Sequence, residues 1–191
     1  MSFFSIQDFI ASGRKSLSNK NYWSALSVAL MLPSMCSRIA YEGKQEYFKS
    51  GVPRDKKCYV DWCKENFKNS WIRICLGSKF AEVLYELRCD IVHAGCADIY
   101  ADGKGLYLSL GDNGATDFTK YRIVDVGSLC KSIFDQTDTW CANFGTDSFK
   151  YTRVFNSDNR DDRLLYQRLC DEDRADYLKE QFDRENEEKK K

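Results

Sequence analysis

Apolar residues recur along most of this chain at three- and four-residue steps, the period of helices that each bury one face. Over residues 5–18, Ser5 and Asp8 form a capping-box-like pair, and Ile6, Phe9, Ile10 and Leu17 lie near one stripe, predicting an amphipathic helix. Asn19 to Asn21 punctuate its end. From Tyr22 to about Tyr41 a strongly apolar helix places Ala25, Val28, Ala29, Leu32, Cys36 and Ile39 on one face, the composition of a central helix. Pro33 in its middle is expected to kink or split it. Residues 42–57 carry Gly43, Gly51 and Pro53 without apolar periodicity and read as a long loop. A third helix is expected at roughly Cys58–Asn69, then a short segment at Trp71–Leu76. Ser78 is expected to cap a further helix that ends at Gly95.

The period then changes. Leu106 to Leu110 alternates, GDNGATD supplies turn residues, and Lys120 to Val126 reads as a returning strand, so a β-hairpin is expected at about 105–126. Helical spacing resumes with Val126, Leu129, Cys130, Ile133, Phe134, Thr137, Trp140, Cys141 and Phe144. Beyond residue 157 a mostly charged stretch with a thin stripe of Leu165, Leu169, Tyr177 and Phe182 reads as a peripheral helical segment fraying into a lysine end. A solvated charged face is the preferred reading of this stretch over a partner-binding arm. The expectation is a mainly α-helical domain over 1–156 with an inserted hairpin, followed by a charged C-terminal segment over 157–191.

Composition agrees with a folded chain: 191 residues suit one domain, and 43% hydrophobic, 30% charged and 14% aromatic residues exclude a disordered one. No run approaches the roughly 18 apolar residues of a membrane span, and the first residues lack a secretory pattern, so a cytoplasmic protein without membrane contact is expected. Nine cysteines are an odd number, several of them at helix-core spacing, and most read as reduced buried thiols. A net charge of zero excludes a global field that would draw in nucleic acid, so any basic footprint is local.

The candidate chemistry lies in LYELRCDIVHAG, residues 84–95, which holds Arg88 and the single histidine, His93. On a helical wheel Phe80, Val83, Leu84, Leu87 and Ile91 form the core stripe, while His93 falls off it, roughly 140° around from Arg88. Between them Tyr85, Cys89 and Val92 form a second, narrower strip that needs a covering surface. A helix of the same chain could supply it, or a two-fold partner could, bringing both arginines and both histidines around one cleft. A break at Ala94-Gly95 could instead swing His93 round. Histidine moves protons near neutral pH, and arginine grips phosphate oxygens and offsets charge developing at phosphorus. The two suit cleavage of RNA by its own 2′-hydroxyl, with no metal and no cofactor.

The Arg-x4-His element Arg88 to His93, closing an apolar helix before Ala-Gly, resembles the HEPN superfamily (higher eukaryotes and prokaryotes nucleotide-binding domains). SALSVALMLPSMCSRIAYEGK, YVDWCKEN and the VDVGSLCKSIFD helix are similar to small bacterial or phage-type proteins of that kind, the likeness covering roughly residues 20–145. It implies a HEPN-like helical bundle, a homodimer, and in active members a metal-independent endoribonuclease serving defence, toxin–antitoxin or RNA-processing roles, with a cognate antitoxin or regulatory protein as a further partner. Arg88 and His93 are then the catalytic residues, supported by Tyr85, Cys89 and Asp90. Where the family often has asparagine, aspartate or histidine after the arginine, this chain has Cys89, with Asp90 one step later.

Residues 44–79 interleave Lys56, Lys57, Lys64 and Lys68 with Tyr47, Tyr59, Trp62, Phe67 and Trp71, a candidate RNA-contacting surface unless the aromatics are core and the lysines merely solvated. No Cys-x2-Cys pair supports zinc, and no glycine-rich phosphate loop or Gly-x-Ser-x-Gly elbow is present. A catalytically silent module that holds RNA, a nucleotide or a protein is the second reading, and a small interaction protein the third.

Overall fold

The computed structural model describes residues 2–49, 52–94, 99–111, 115–144 and 150–154, together with Gln167, Asp171 and Lys179. A short strand β1 (Ser2–Ser5) leads into α1 (Ile6–Ser18) through a reciprocal capping box: Asp8 N–H donates to Ser5 Oγ at 3.1 Å and Ser5 N–H to Asp8 Oδ2 at 2.8 Å. Those bonds to the charged form hold the Asp8 carboxyl below its ordinary range. Helix α2 (Tyr22–Ala40) begins where the Asn21 side chain accepts from Ser24 N–H. It packs against α1 and three later helices, as a central helix should, and Pro33 does not split it.

Residues 42–57 are not a long loop. A 3₁₀ turn (Gln45–Tyr47) leads to an antiparallel pair, β2 (Phe48–Lys49) and β3 (Val52–Pro53), and α3 (Asp55–Asn66) starts at Asp55 rather than Cys58 and stops before the expected Asn69. The start was hidden because its N-cap, Arg54, makes no side-chain capping bond and the first turn is charged. Helix α4 (Trp71–Leu76) lies where expected, and α5 (Phe80–Ala94) carries the candidate motif. Ser78 does not act as the expected cap; its N–H and Oγ donate to Asp102 at 3.1 and 3.0 Å, tying the start of α5 to the sheet.

That sheet corrects the expected hairpin. Strands β4 (Tyr100–Ala101), β5 (Lys104–Ser109), β6 (Ala115–Asp117) and β7 (Tyr121–Asp125) stand in the order β4-β5-β7-β6, and β5 runs parallel to β7, Leu106 opposite Arg122 and Leu108 opposite Val124. The antiparallel pairs are β4 with β5 and β6 with β7, so part of GDNGATD is strand rather than turn. Leu106, Arg122 and Val124 face inward and are buried, while Tyr100, Tyr107 and Tyr121 stand on the outer face. Helix α6 (Val126–Phe144) follows directly, its start fixed by Ser128 N–H donating to Asp125 Oδ1 at 2.7 Å. Its buried positions are those the spacing predicts, from Val126 through Leu129, Ile133 and Phe134 to Cys141, while Phe144 remains exposed.

The fold is thus mainly α with a small mixed sheet, around a core centred on Tyr59, Trp62, Phe67 and Phe134. Cys36, Cys58, Cys63, Cys75 and Cys130 are buried free thiols, and Cys141 is buried as well. The chain divides into two units. Ser5–Phe149 contains the six helices and the four-stranded sheet; Met1–Phe4 with Lys150–Lys191 forms the other, in which β1 pairs with β8 (Lys150–Val154), a strand the sequence reading did not anticipate. Gln167 and Asp171 are helical and bonded at 3.1 Å one turn apart; most of the charged segment at 157–191 lies outside the described residues. Contrary to the expectation that no segment approaches a membrane span, α2 alone among the described residues is long and apolar enough to cross one, and half of that stretch is buried within the fold.

Candidate functional site

Helix α5 is anchored by Phe80, Val83, Leu84 and Leu87, all buried, as the stripe predicts. This leaves Tyr85, Arg88, Cys89 and Asp90 half-buried. The Tyr85 end of the narrower strip is covered from within the chain: its ring meets Tyr59 of α3 edge-on at 5.4 Å. Tyr59 is itself fully buried and fixed by donating its hydroxyl to the Leu30 carbonyl oxygen at 3.2 Å. Val92 and His93 belong to α5, but their side chains lie outside the described residues.

Two cations converge on the Tyr85 ring. Lys56 Nζ, from the first turn of α3, is 5.7 Å from its centroid, and Arg88 Cζ is 5.8 Å from it. Arg88 Nη1 donates to Cys89 Sγ at 3.8 Å, and Arg88 Nε is buried with no partner among the described residues. Neither Lys56 nor Arg88 pairs with a carboxylate among those residues, whereas Lys57 is held by Asp61 and Lys64 by Glu82, each at 2.6 Å. Burial foremost, then the hydrogen bond with Cys89, pushes the Tyr85 hydroxyl above its ordinary value, with Arg88 opposing. Burial raises the Tyr59 hydroxyl well above its own. Both phenols are therefore neutral, and the charges near them are those of the two cations and of Asp55, which opposes Arg88 in its effect on Tyr85. With Arg88 half-buried, Lys56 exposed and neither directly paired with a carboxylate among the described residues, the two cations attract an anion such as a phosphodiester.

Helix α5 extends through Ala94, so His93 has a helical backbone, while Gly95, where a break could swing it round, lies outside the described residues. The His93 backbone position is about 7.5 Å along the axis and about 140° round from Arg88. The structure thus brings together Lys56, Tyr85, Arg88 and Cys89, with Asp90 one residue on. Lys57, Lys64 and Lys68 stand apart from this cluster's contacts, and Lys57 also covers the Tyr47 ring at 4.4 Å. The interleaved aromatics are not a stacking surface: Tyr47, Tyr59, Trp62 and Phe67 are buried, and Trp71 alone of those five is half-exposed. Sequence reasoning placed Lys56 in a loop and passed over Arg122, whose inward position the pattern conceals, since an arginine between the apolar Tyr121 and Ile123 in an alternating strand reads as outward-facing. Among the described residues no group of three or more His, Cys, Asp or Glu side chains could hold a metal. No protein-family model, curated protein or solved structure matches this chain.

Proposed function

We propose that this chain is a HEPN-type endoribonuclease of the cytoplasm, acting as a homodimer and cutting RNA without metal through attack of the 2′-hydroxyl on the adjoining phosphorus. Arg88 holds the phosphate oxygens and offsets their growing charge; His93 takes the hydroxyl proton or returns one to the leaving oxygen. The observation that carries this reading is the convergence of two cations, Lys56 and Arg88, on the Tyr85 ring, neither directly paired with a carboxylate among the described residues. A dimer supplies what one helix does not, because positions about 140° apart on one chain can meet across a two-fold axis. A defence or toxin–antitoxin role, with a cognate protein restraining the cleft, goes with this reading.

Chelator-treated protein incubated with mixed RNA is expected to give fragments ending in 2′,3′-cyclic phosphate. Arg88→Ala and His93→Ala each abolish them, and Arg88→Lys retains only a small fraction because an ammonium cannot form the two-pronged grip. Activity surviving both alanine changes sinks the assignment. Mixing the two inactive variants restores about a quarter of the sites if each cleft takes Arg88 from one chain and His93 from the other. The second reading, a silent module that retains RNA without cutting it, is favoured by Arg88 Nη1 already resting on Cys89 Sγ. RNA held in a salt-sensitive complex with no new ends identifies it.

A further inference from the structure

Two open grooves flank α4 and share Ile74 as a wall. One, of about 570 Å³, is lined by Lys68, Asn69, Arg73 and Ser78. The other, of about 330 Å³, is lined by Trp71, Cys75, Thr116, Asp117 and Arg122. Ile74 is 79% exposed on the ridge between them, beside the half-exposed Trp71. An apolar ridge with an indole at its edge is costly to leave in water unless something covers it.

The charge around the ridge indicates what covers it. Lys68 and Arg73 are exposed and pair with no carboxylate among the described residues; Arg73 Nη1 donates to the Lys68 carbonyl oxygen at 3.2 Å. Arg122 is only 8% exposed, yet its Nη1 has no partner among the described residues, while Nη2 donates to Asp117 at 3.2 Å. The nearby acids are already engaged. Asp117 is shared with Lys104 at 2.6 Å, and the Asp102 oxygens accept from Ser78 N–H and Oγ. What remains is a surplus of positive charge, from Lys68 and Arg73, on one side of an apolar ridge, while on the other side Asp117 offsets Arg122. A small anion would pair with Lys68 or Arg73 and leave Ile74 uncovered. A single strand of nucleic acid meets all three and Trp71, with phosphates on Lys68 and Arg73 and a base over Trp71 and Ile74.

We infer that the α4 surface is the docking track for single-stranded RNA, a conclusion that rests on the RNA reading above and assigns the recognition of substrate to residues outside the Arg88 cluster. The tyrosine face of the sheet is the competing surface: Tyr107 and Tyr121 border a groove of about 410 Å³, but no charged side chain lines it.

The test uses a fluorescein-labelled 2′-O-methyl RNA of mixed sequence, which lacks the attacking hydroxyl and so reports binding alone, read by anisotropy across a salt series on the full chain. Lys68→Glu/Arg73→Glu is expected to weaken binding at least tenfold and to lower the slope of log affinity against log salt by about 1.4, two contacts' worth. Trp71→Ala is expected to lose about fivefold or more with the slope unchanged, as stacking rather than charge requires. Unchanged binding by the double variant, or a loss that follows Tyr107→Ala/Tyr121→Ala instead, overturns the inference, as does wild-type protein that ignores the probe. Thermal melting at the wild-type temperature shows that each variant is folded. Probe binding with no cleavage of ordinary RNA removes the nuclease and leaves this surface standing; cleavage of ordinary RNA undiminished in the double variant does the reverse.

Discussion

Gly77 joins α4 to α5 with φ 83° and ψ −162°, a region open essentially to glycine alone. A Cβ there would lie 1.7 Å from Asp102 Oδ2 and 3.0 Å from Arg122 Nη1, so the carboxylate that fixes Ser78 occupies the space a side chain would need. Gly77→Ala is therefore expected to cost about 2–4 kcal/mol, from backbone strain and from displacing Asp102 with its two hydrogen bonds. Asp102, itself at φ 52°, gives up the clashing atoms when changed to glycine and relaxes its own backbone. In urea unfolding the double variant Gly77→Ala/Asp102→Gly should lose clearly less than the sum of the two single losses; strict additivity would show that the contact with Asp102 is not the cause. At this scale the sequence announced some of the site. Tyr85 and Arg88, three apart on a helix, had to be neighbours. Lys56 joins them across two helices, and no local spacing encodes that contact.

Helices with a side-chain cap or a clean apolar stripe were legible: α1 through Ser5 and Asp8, α6 through its unbroken spacing from Val126 to Cys141. Helix α3 was misplaced because Arg54 gives no capping bond and its first apolar residue is Cys58. Alternation marked β5 and β7 as strands but could not name their partners. Ala115–Asp117, exposed at every position, carries no alternation to betray the strand that lies between β5 and β7 in sequence and on the far side of β7 in space. What the pattern also concealed is how closely α1 approaches α6. A Cβ on Gly13 would meet Phe134 Cζ at 2.4 Å and Cε1 at 2.7 Å, and Phe134 is fully buried with no room to retreat. Alanine in a helix interior normally gains about 1 kcal/mol over glycine. Here Gly13→Ala is expected to destabilise by about 1–3 kcal/mol instead, through overpacking, and Phe134→Leu in the same chain should recover part of that loss. A stabilised Gly13→Ala in urea titration would mean that the two helices do not meet as described.

The molecule as a whole carries a charge balance that makes it sensitive to alkali. Burial raises the Cys130 thiol to about 12 and the Cys75 thiol to about 11, against an ordinary 9.0, and pushes Cys36, Cys63, Tyr41 and Tyr59 upward as well. Each group keeps its proton more tightly folded than unfolded. Below the unfolded value both states hold the proton, so the contribution of these groups is fully present at neutral pH. Above it the unfolded chain ionises while the folded chain does not, and stability falls until the folded value is passed. For each group the loss is about 1.4 kcal/mol per pH unit, so several together give a steep descent. Melting temperature measured with reductant present should be nearly level from pH 7 to 8 and drop with increasing slope from pH 9 to 10.5. Cys130→Ala lowers stability at neutral pH by leaving a small cavity, yet its profile above pH 9 should be shallower by one group's share, a crossing of trends that a general alkaline effect on surface charge would not produce. Parallel profiles for the two proteins would show that Cys130 is not the buried, protonated thiol that its place on α6 makes it.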